Sequence, residues 1–384
     1  MQSFRLCACT TALAFVFFCS SASADVISEW NVAATNATAT IGSPAQARAL
    51  AVAHAAAFDA VNALQPRFTP YLKEFSGPAG TSADAAAAAA MYTVFLALVP
   101  AQKTAFETAY QSIVSKIAEG EARERGISFG NDVGKAYVEA RSKDGMSITS
   151  EYKPSVGPGQ WKPTPPSNAL MAVPQLADVV PFTTKDFGFL KVQGPPSLDS
   201  AAYVRDVDEI RQVGSRNSTT RTADQTASAI FWYISTPVPW QAAARAAAQK
   251  MNLGLVESAR LFALMNMAGA DAYIAGWQIK KKANYWRPIT AIREAANNSD
   301  PSWEPLLSTP PHPDYPSGHN IYSGAMAEVI RRLVGSDQVS FGTALLLPTG
   351  VLPRNWASLS GAEKDVMVLE FGQGFIFEQL TNTA

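Results

Sequence analysis

The stretch VESARLFALMNMAGADAYIAGWQIKKK, residues 256–282, repeats apolar side chains at three- and four-residue intervals and contains no proline. That period matches the 3.6-residue turn of an α-helix with a buried stripe. The reading extends outward in both directions. Upstream, alanine-rich segments with the same spacing predict helices over 43–64, 83–98, 101–118, 122–141, 200–214, 222–235 and 240–251. Ser43-Pro44 reads as a helix start, a capping hydroxyl followed by proline at the first helical position. Strand signals are few, so the fold class expected is all-α. Between Pro154 and Pro196, Pro-Gly, Pro-Pro and Gly-Pro pairs stop any helix, while Trp161, Leu170, Phe182 and Phe187 offer apolar anchors. An ordered wrapping segment between two helical halves is expected there.

Composition narrows the function. The 384 residues include 47% apolar residues, ample for a core, and the 31 basic and 32 acidic residues nearly cancel. A nucleic-acid partner is disfavoured, because phosphate backbones require a concentrated positive surface. Residues 1–24 read as a secretory signal: Arg5, an apolar run from Leu6 to Phe18, then Ala22-Ser23-Ala24 before Asp25. The run is too short for a bilayer that needs roughly 20 apolar residues, so no stable membrane span is expected after cleavage. The protein is then exported, periplasmic or secreted. Cys7, Cys9 and Cys19 all lie within this signal, which leaves the mature chain without disulfide or thiolate.

The chemistry follows the long helix. Lys280 precedes Arg287-Pro288 with six residues between, in KKKANYWRPITAIR. Pro288 forces Arg287 out of the helical region, so an ammonium and a guanidinium can converge on one oxyanion. Lys281 and Lys282 read instead as solvated charges complementing the helix end. Further on, Pro316-Ser317-Gly318-His319 opens a helix running to about Leu333. A helix start offers free N–H groups, Ser317 a hydroxyl, Gly318 close backbone approach and His319 a proton carrier, all aimed at one place. His312, between two prolines, reads as a turn residue. His54, on an apolar helical face, reads as a core histidine.

These two motifs resemble the first two of three signature motifs in the superfamily that unites vanadium-dependent haloperoxidases with type 2 phosphatidic acid phosphatases. ARALAVAHAAAFDAVNAL (47–64), GPGQWKPTPP (157–166) and ARLFALMNMAGADAYIAGWQIK (259–280) are also similar to exported bacterial haloperoxidase-like members. The resemblance implies two helical bundles, haloperoxidase/acid-phosphatase-like, with the anion pocket in the second. The chain divides accordingly into a signal (1–24), an N-terminal helical region (25–153), the proline-rich segment (154–198), a catalytic bundle (199–365) and a tail (366–384). By the same resemblance Lys280, Arg287, Ser317 and Gly318 would hold equatorial oxygens of vanadate or phosphate, and His319 would be the catalytic acid-base residue. The expected cofactor is vanadate if the protein is a peroxidase acting on halide and hydrogen peroxide. A phosphatase acting on a phosphate ester would need none.

The third motif of the superfamily is an arginine, five residues, a histidine and then an aspartate. It is missing here. In the resembled family that histidine bonds to vanadium or becomes phosphorylated, and the arginine completes the oxyanion clamp. This chain has three histidines, none beyond His319. In the place of the motif stands VMVLEFGQGFIFEQLTN, 366–382. Read one nucleotide out of register, with wobble bases chosen freely, it can encode A-R-V-W-A-G-F-H-F-R-T-A-D. The Arg then falls across Leu369 and Glu370, the His across Phe375 and Ile376, and the Asp across Leu380 and Thr381. A frameshift near residue 365 is the expectation, with activity impaired and the helix that closes the bundle lost. Phe371, Phe375 and Phe377 would then need other cover. A non-catalytic oxyanion-binding protein is the alternative reading.

Overall fold

A computed structural model describes residues 25–295, 298–347 and 350–373. Residues 1–24, where a secretory signal is expected, lie outside them, as do residues 374–384. In chain order the α-helices are α1 (Val26–Thr38), α2 (Ser43–Leu64), α3 (Ala83–Leu98), α4 (Lys103–Val114), α5 (Glu121–Ala140), α6 (Ala201–Val213), α7 (Ala223–Ile234), α8 (Pro237–Lys250), α9 (Leu255–Ala283), α10 (Pro288–Glu294), α11 (Gly318–Val334) and α12 (Leu359–Gln373). One antiparallel hairpin, β1 (Phe341–Leu347) with β2 (Gly350–Trp356), interrupts the helical order before α12. The all-α class stands.

The long periodic stretch is α9, and its small and apolar residues pack it between α2 and α11. Alanine dominates α2, which is buried on all sides from Ala49 to Val61 because small side chains let neighbouring helices close in. The α3–α5 contact is closer still. A Cβ on Gly130 of α5 would stand 2.2 Å from the Ala86 carbonyl oxygen of α3, so the two backbones touch at that point. Hydroxyl caps close several helix starts: Ser82 accepts from Ala85 N, Ser200 from Tyr203 N, and Thr222 forms a reciprocal capping box with Gln225. The α2 start differs from expectation. Gly42 is its N-cap and Ser43 makes no capping bond, since Ser43 and Pro44 already occupy the first turn.

Residues 154–198 wrap the molecule in an irregular path fixed by backbone bonds. Trp161 N donates to Asn284 O at 2.7 Å, Trp286 N to Gly159 O at 2.9 Å, and Ala172 N to Pro311 O at 2.7 Å. Asp271 of α9 holds the wrap at residues 182–183, accepting from Phe182 N at 2.6 Å and from both Thr183 N and Oγ1. Trp161 and Phe182 are buried anchors, and Phe187 is half-buried. Leu170 is not an anchor: it is 74% exposed, on a loop held instead by its neighbours' backbone bonds.

Contrary to expectation, the last helix forms. α12 runs through residue 365 without a break, buries Val366 and packs on α7 and α11. The side chains of Phe371, Phe375 and Phe377 lie outside the described residues. Asp365 fastens this helix. Its carboxylate accepts from Ser228 Oγ at 2.9 Å, from the Trp232 and Trp356 indoles at 3.0 Å each, and from two nitrogens of Arg354. The group ties α12 to α7 and to the hairpin at once. Replacing Asp365 with Ala strands a mostly buried guanidinium and two indole N–H groups, so the protein should lose about 3–5 kcal/mol of stability. Urea unfolding of Asp365→Ala beside Asp365→Asn checks this; an Ala variant within 1 kcal/mol of the parent would deny the clasp any structural weight.

Among the described residues, no single helix is long and apolar enough to cross a membrane. Ala83–Leu98 and Pro100–Val114 reach that length and composition only when taken together across a 117° bend.

Candidate oxyanion site

The last turn of α9 carries Lys280, wholly buried although charged. Such a group needs strong partners. Its Nζ donates to Pro313 O at 2.8 Å and Asp314 O at 2.7 Å, and stands 5.9 Å above the Trp277 ring. Asn284 then turns the chain in a left-handed conformation, and Arg287 sits extended at φ −87°, ψ 154° as the N-cap of α10. This is the departure from helix that Pro288 imposes. Arg287, 3% exposed, reaches the same loop as Lys280. Its Nε donates to His312 O at 3.0 Å, one terminal nitrogen meets Asp314 Oδ1 at 2.7 Å, and the other lies 3.3 Å from Pro310 O and 3.4 Å from His312 Nδ1.

The second motif comes from α11. Ser317 is its N-cap, with Oγ accepting from Asn320 N at 3.2 Å, and Gly318 and His319 form the first turn. A Cβ on Gly318 would lie 3.5 Å from the Trp277 ring and 3.7 Å from Tyr273, so the glycine packs where α11 meets α9. His319 shares an electrostatic neighbourhood with the two cations. Burial first, then the charges of Lys280 and Arg287, push its pKa down to about 3. At neutral pH it is therefore a neutral imidazole. An anion placed among these groups would offset the cations and raise that pKa, bringing the ring toward proton donation.

The structure thus brings Lys280, Arg287 and His319 together, with Ser317 and Gly318 at the helix start beside them. His312 lies in a bend, as expected, its N donating to Pro310 O at 2.9 Å, but it also belongs to the site: its ring tilts against Trp277 at 5.2 Å, its Nδ1 faces Pro313 O at 3.0 Å, and burial with Lys280, Arg287 and His319 holds its pKa well below the ordinary value. Asp314 and Trp277 also went unassigned by sequence reasoning. The signal for His312 and Asp314 was positional, since prolines at 310, 311, 313 and 316 stiffen the segment that faces the cations. Lys281 pairs with Asp178 at 3.1 Å, and Lys282 is exposed. His54 is the core histidine expected: fully buried, stacked 5.2 Å from Phe262, with Nε2 facing Asn31 and its pKa pushed down to about 3 by burial alone.

This donor set fits a vanadate or phosphate held by charge and hydrogen bonds. Two fixed cations, a hydroxyl, a helix start and an imidazole are the chemistry that binds tetrahedral oxyanions. Among the described residues no cluster of three or more His, Cys, Asp or Glu could hold a metal ion.

Comparison with known proteins agrees. A family profile described as VCPO second helical-bundle domain matches residues 260–379, the stretch that contains every residue of the site. Vanadium chloroperoxidase of Curvularia inaequalis is 29% identical over 259 residues, 53% of this chain; the match spans only 42% of that relative's length. The crystal structure reported as the first bacterial vanadium-dependent iodoperoxidase superposes with a TM-score of 0.79 at 25% identity, covering 91% of each chain. A holo-type bacterial vanadium-dependent chloroperoxidase shares the fold, with a TM-score of 0.72 at 18% identity over 89% of each chain. Together these likenesses support the superfamily of the vanadium haloperoxidases for this chain.

Proposed function

We propose that this chain is an exported haloperoxidase-like protein that holds vanadate between Lys280, Arg287 and the Ser317 helix start, as a site for oxidising halide with hydrogen peroxide. The observation that carries the reading is the meeting of both cations with His319, from separate stretches of chain, in one buried neighbourhood. Lys280 and Arg287 would balance the charge of the equatorial oxygens. Ser317 would add a hydroxyl donor, and His319, its pKa raised by the anion, would pass a proton to and from the substrate oxygen. Bound vanadate would supply the electrophilic centre that activates peroxide. The same pocket suits phosphate-ester hydrolysis, because vanadate mimics the phosphoryl-transfer transition state.

Turnover in this sequence is expected to be impaired, since the third-motif arginine and histidine have no counterpart after His319. One feature favours a second reading, oxyanion binding without catalysis: the loop 310–314 already occupies donors of both cations. Titration calorimetry with vanadate and phosphate, beside halide oxidation and phosphate-ester hydrolysis, separates the readings. The parent should bind either anion, and Lys280→Met should bind it about 10- to 100-fold more weakly, the worth of one charge-assisted hydrogen bond. Binding without turnover favours the second reading. A folded parent that binds neither anion would remove the site.

A further inference from the structure

Resting on the oxyanion reading above, we propose that Asp314 is a specificity-determining residue, an internal counter-ion that shifts the pocket away from doubly charged oxyanions toward singly charged ones. Its carboxylate is buried, 4% exposed as a residue, and meets Arg287 at 2.7 Å. The loop holds it there from two further points. Asp314 N donates to Tyr285 O at 2.9 Å, and Asp314 O accepts from Lys280 Nζ at 2.7 Å. The acid is therefore tied by its backbone to the segment bearing one cation and to the other cation directly. It is a fixed negative charge inside the group of positive ones.

A guest among Lys280, Arg287 and His319 meets both signs. Each negative charge on the guest is attracted by the cations and opposed by Asp314, and the opposition doubles when the guest's charge doubles. The cost of removing the guest from water rises more steeply than its charge. Cations alone could offset that cost for a dianion; cations partly neutralised by a buried carboxylate favour the monoanion. Discrimination comes from a repulsive element built into the wall.

Perrhenate and tungstate test this, being tetrahedral oxyanions of similar size that carry one and two charges respectively near neutral pH. Calorimetry is run on the parent, Asp314→Asn and Asp314→Glu, with thermal melts to check folding. The parent should bind perrhenate at least as tightly as tungstate. Asp314→Asn should shift the ratio toward tungstate by about tenfold or more, the effect of removing one nearby unit charge at the effective dielectric of protein sites. Asp314→Glu should keep the parent's preference. The inference is overturned if the parent prefers tungstate, a result that needs no variant to fold, or if the ratio is unchanged in a folded Asp314→Asn. Binding of neither anion by parent or variant would overturn the oxyanion reading too, which distinguishes that failure from a change in preference alone.

Discussion

A protein whose residues from Val368 onward are exchanged for A-R-V-W-A-G-F-H-F-R-T-A-D is expected to oxidise halide, given vanadate and hydrogen peroxide, at least about a thousandfold faster than the chain as it stands. The exchange restores an arginine and a histidine, and losing one oxyanion donor alone typically costs about a hundredfold or more. Helix geometry says where they would go. α12 begins where α11 ends: Leu359 N donates to Asp337 O at 3.0 Å, and one turn further Arg331 bonds Glu363 at 2.6 Å. The two helices are antiparallel there. A position twelve residues past Glu363 would fall level with the one twelve before Arg331, about 18 Å along each axis. That second position is His319. A helical exchanged tail would thus carry its new imidazole, at 375, to the level of the α11 start. Steady-state halide oxidation at saturating vanadate measures the gain. An exchanged protein that folds and remains as slow as its parent would reject both the shifted-register reading and the alignment of levels. Sequencing the gene across codon 365 tests the register directly, and stop codons in the shifted frame would end it.

Acid should unfold this protein early, and His54 should set much of the slope. In the unfolded chain its imidazole binds a proton near pH 6.5; in the folded chain burial holds the pKa at about 3. Between those limits only the unfolded state takes up the proton, so stability is intact above about 6.5 and falls as pH falls, by about 1.4 kcal/mol per pH unit. Over the whole window the loss approaches about 5 kcal/mol from His54 alone, comparable with the total stability of many domains. His319 and His312 are shifted the same way and add to the decline. Urea midpoints between pH 4 and 8 should show this, and His54→Gln should flatten the slope by one proton. A parent whose stability stays level from pH 7 to 4.5 would mean that folded His54 accepts a proton, against its surroundings.

Much of this architecture was legible because helices announce themselves through spacing. Residues 256–282 lie within α9, whose ends are one residue further on each side, and α11 opens at Ser317-Gly318-His319 as expected. The less legible parts lack such a period. The hairpin alternates over only seven residues a strand, and α10 is too short to show a stripe. α12 carries a nearly uniform mixture of polar and apolar residues, and Asp365 holds it beside a short buried row of Leu359, Ala362 and Val366. In the site, Lys280, Arg287 and His319 could be read from spacing and chemistry. Asp314 and His312 could not, because their importance comes from a fold in the loop that turns a run of prolines against two cations. Single residues in irregular chain carry no periodic signature, and only their neighbours in space reveal them.

The contact between α3 and α5 limits where this protein can change. Gly126, Gly130 and Gly134 follow one another along a single edge of α5, and a methyl on any of them would collide with α3 at 2.2 to 2.8 Å. No rotamer relieves such a clash, because several of the opposing atoms belong to the main chain. Drift along this seam is sterically closed, and new specificity has to be written elsewhere, in the irregular loops that surround the cations.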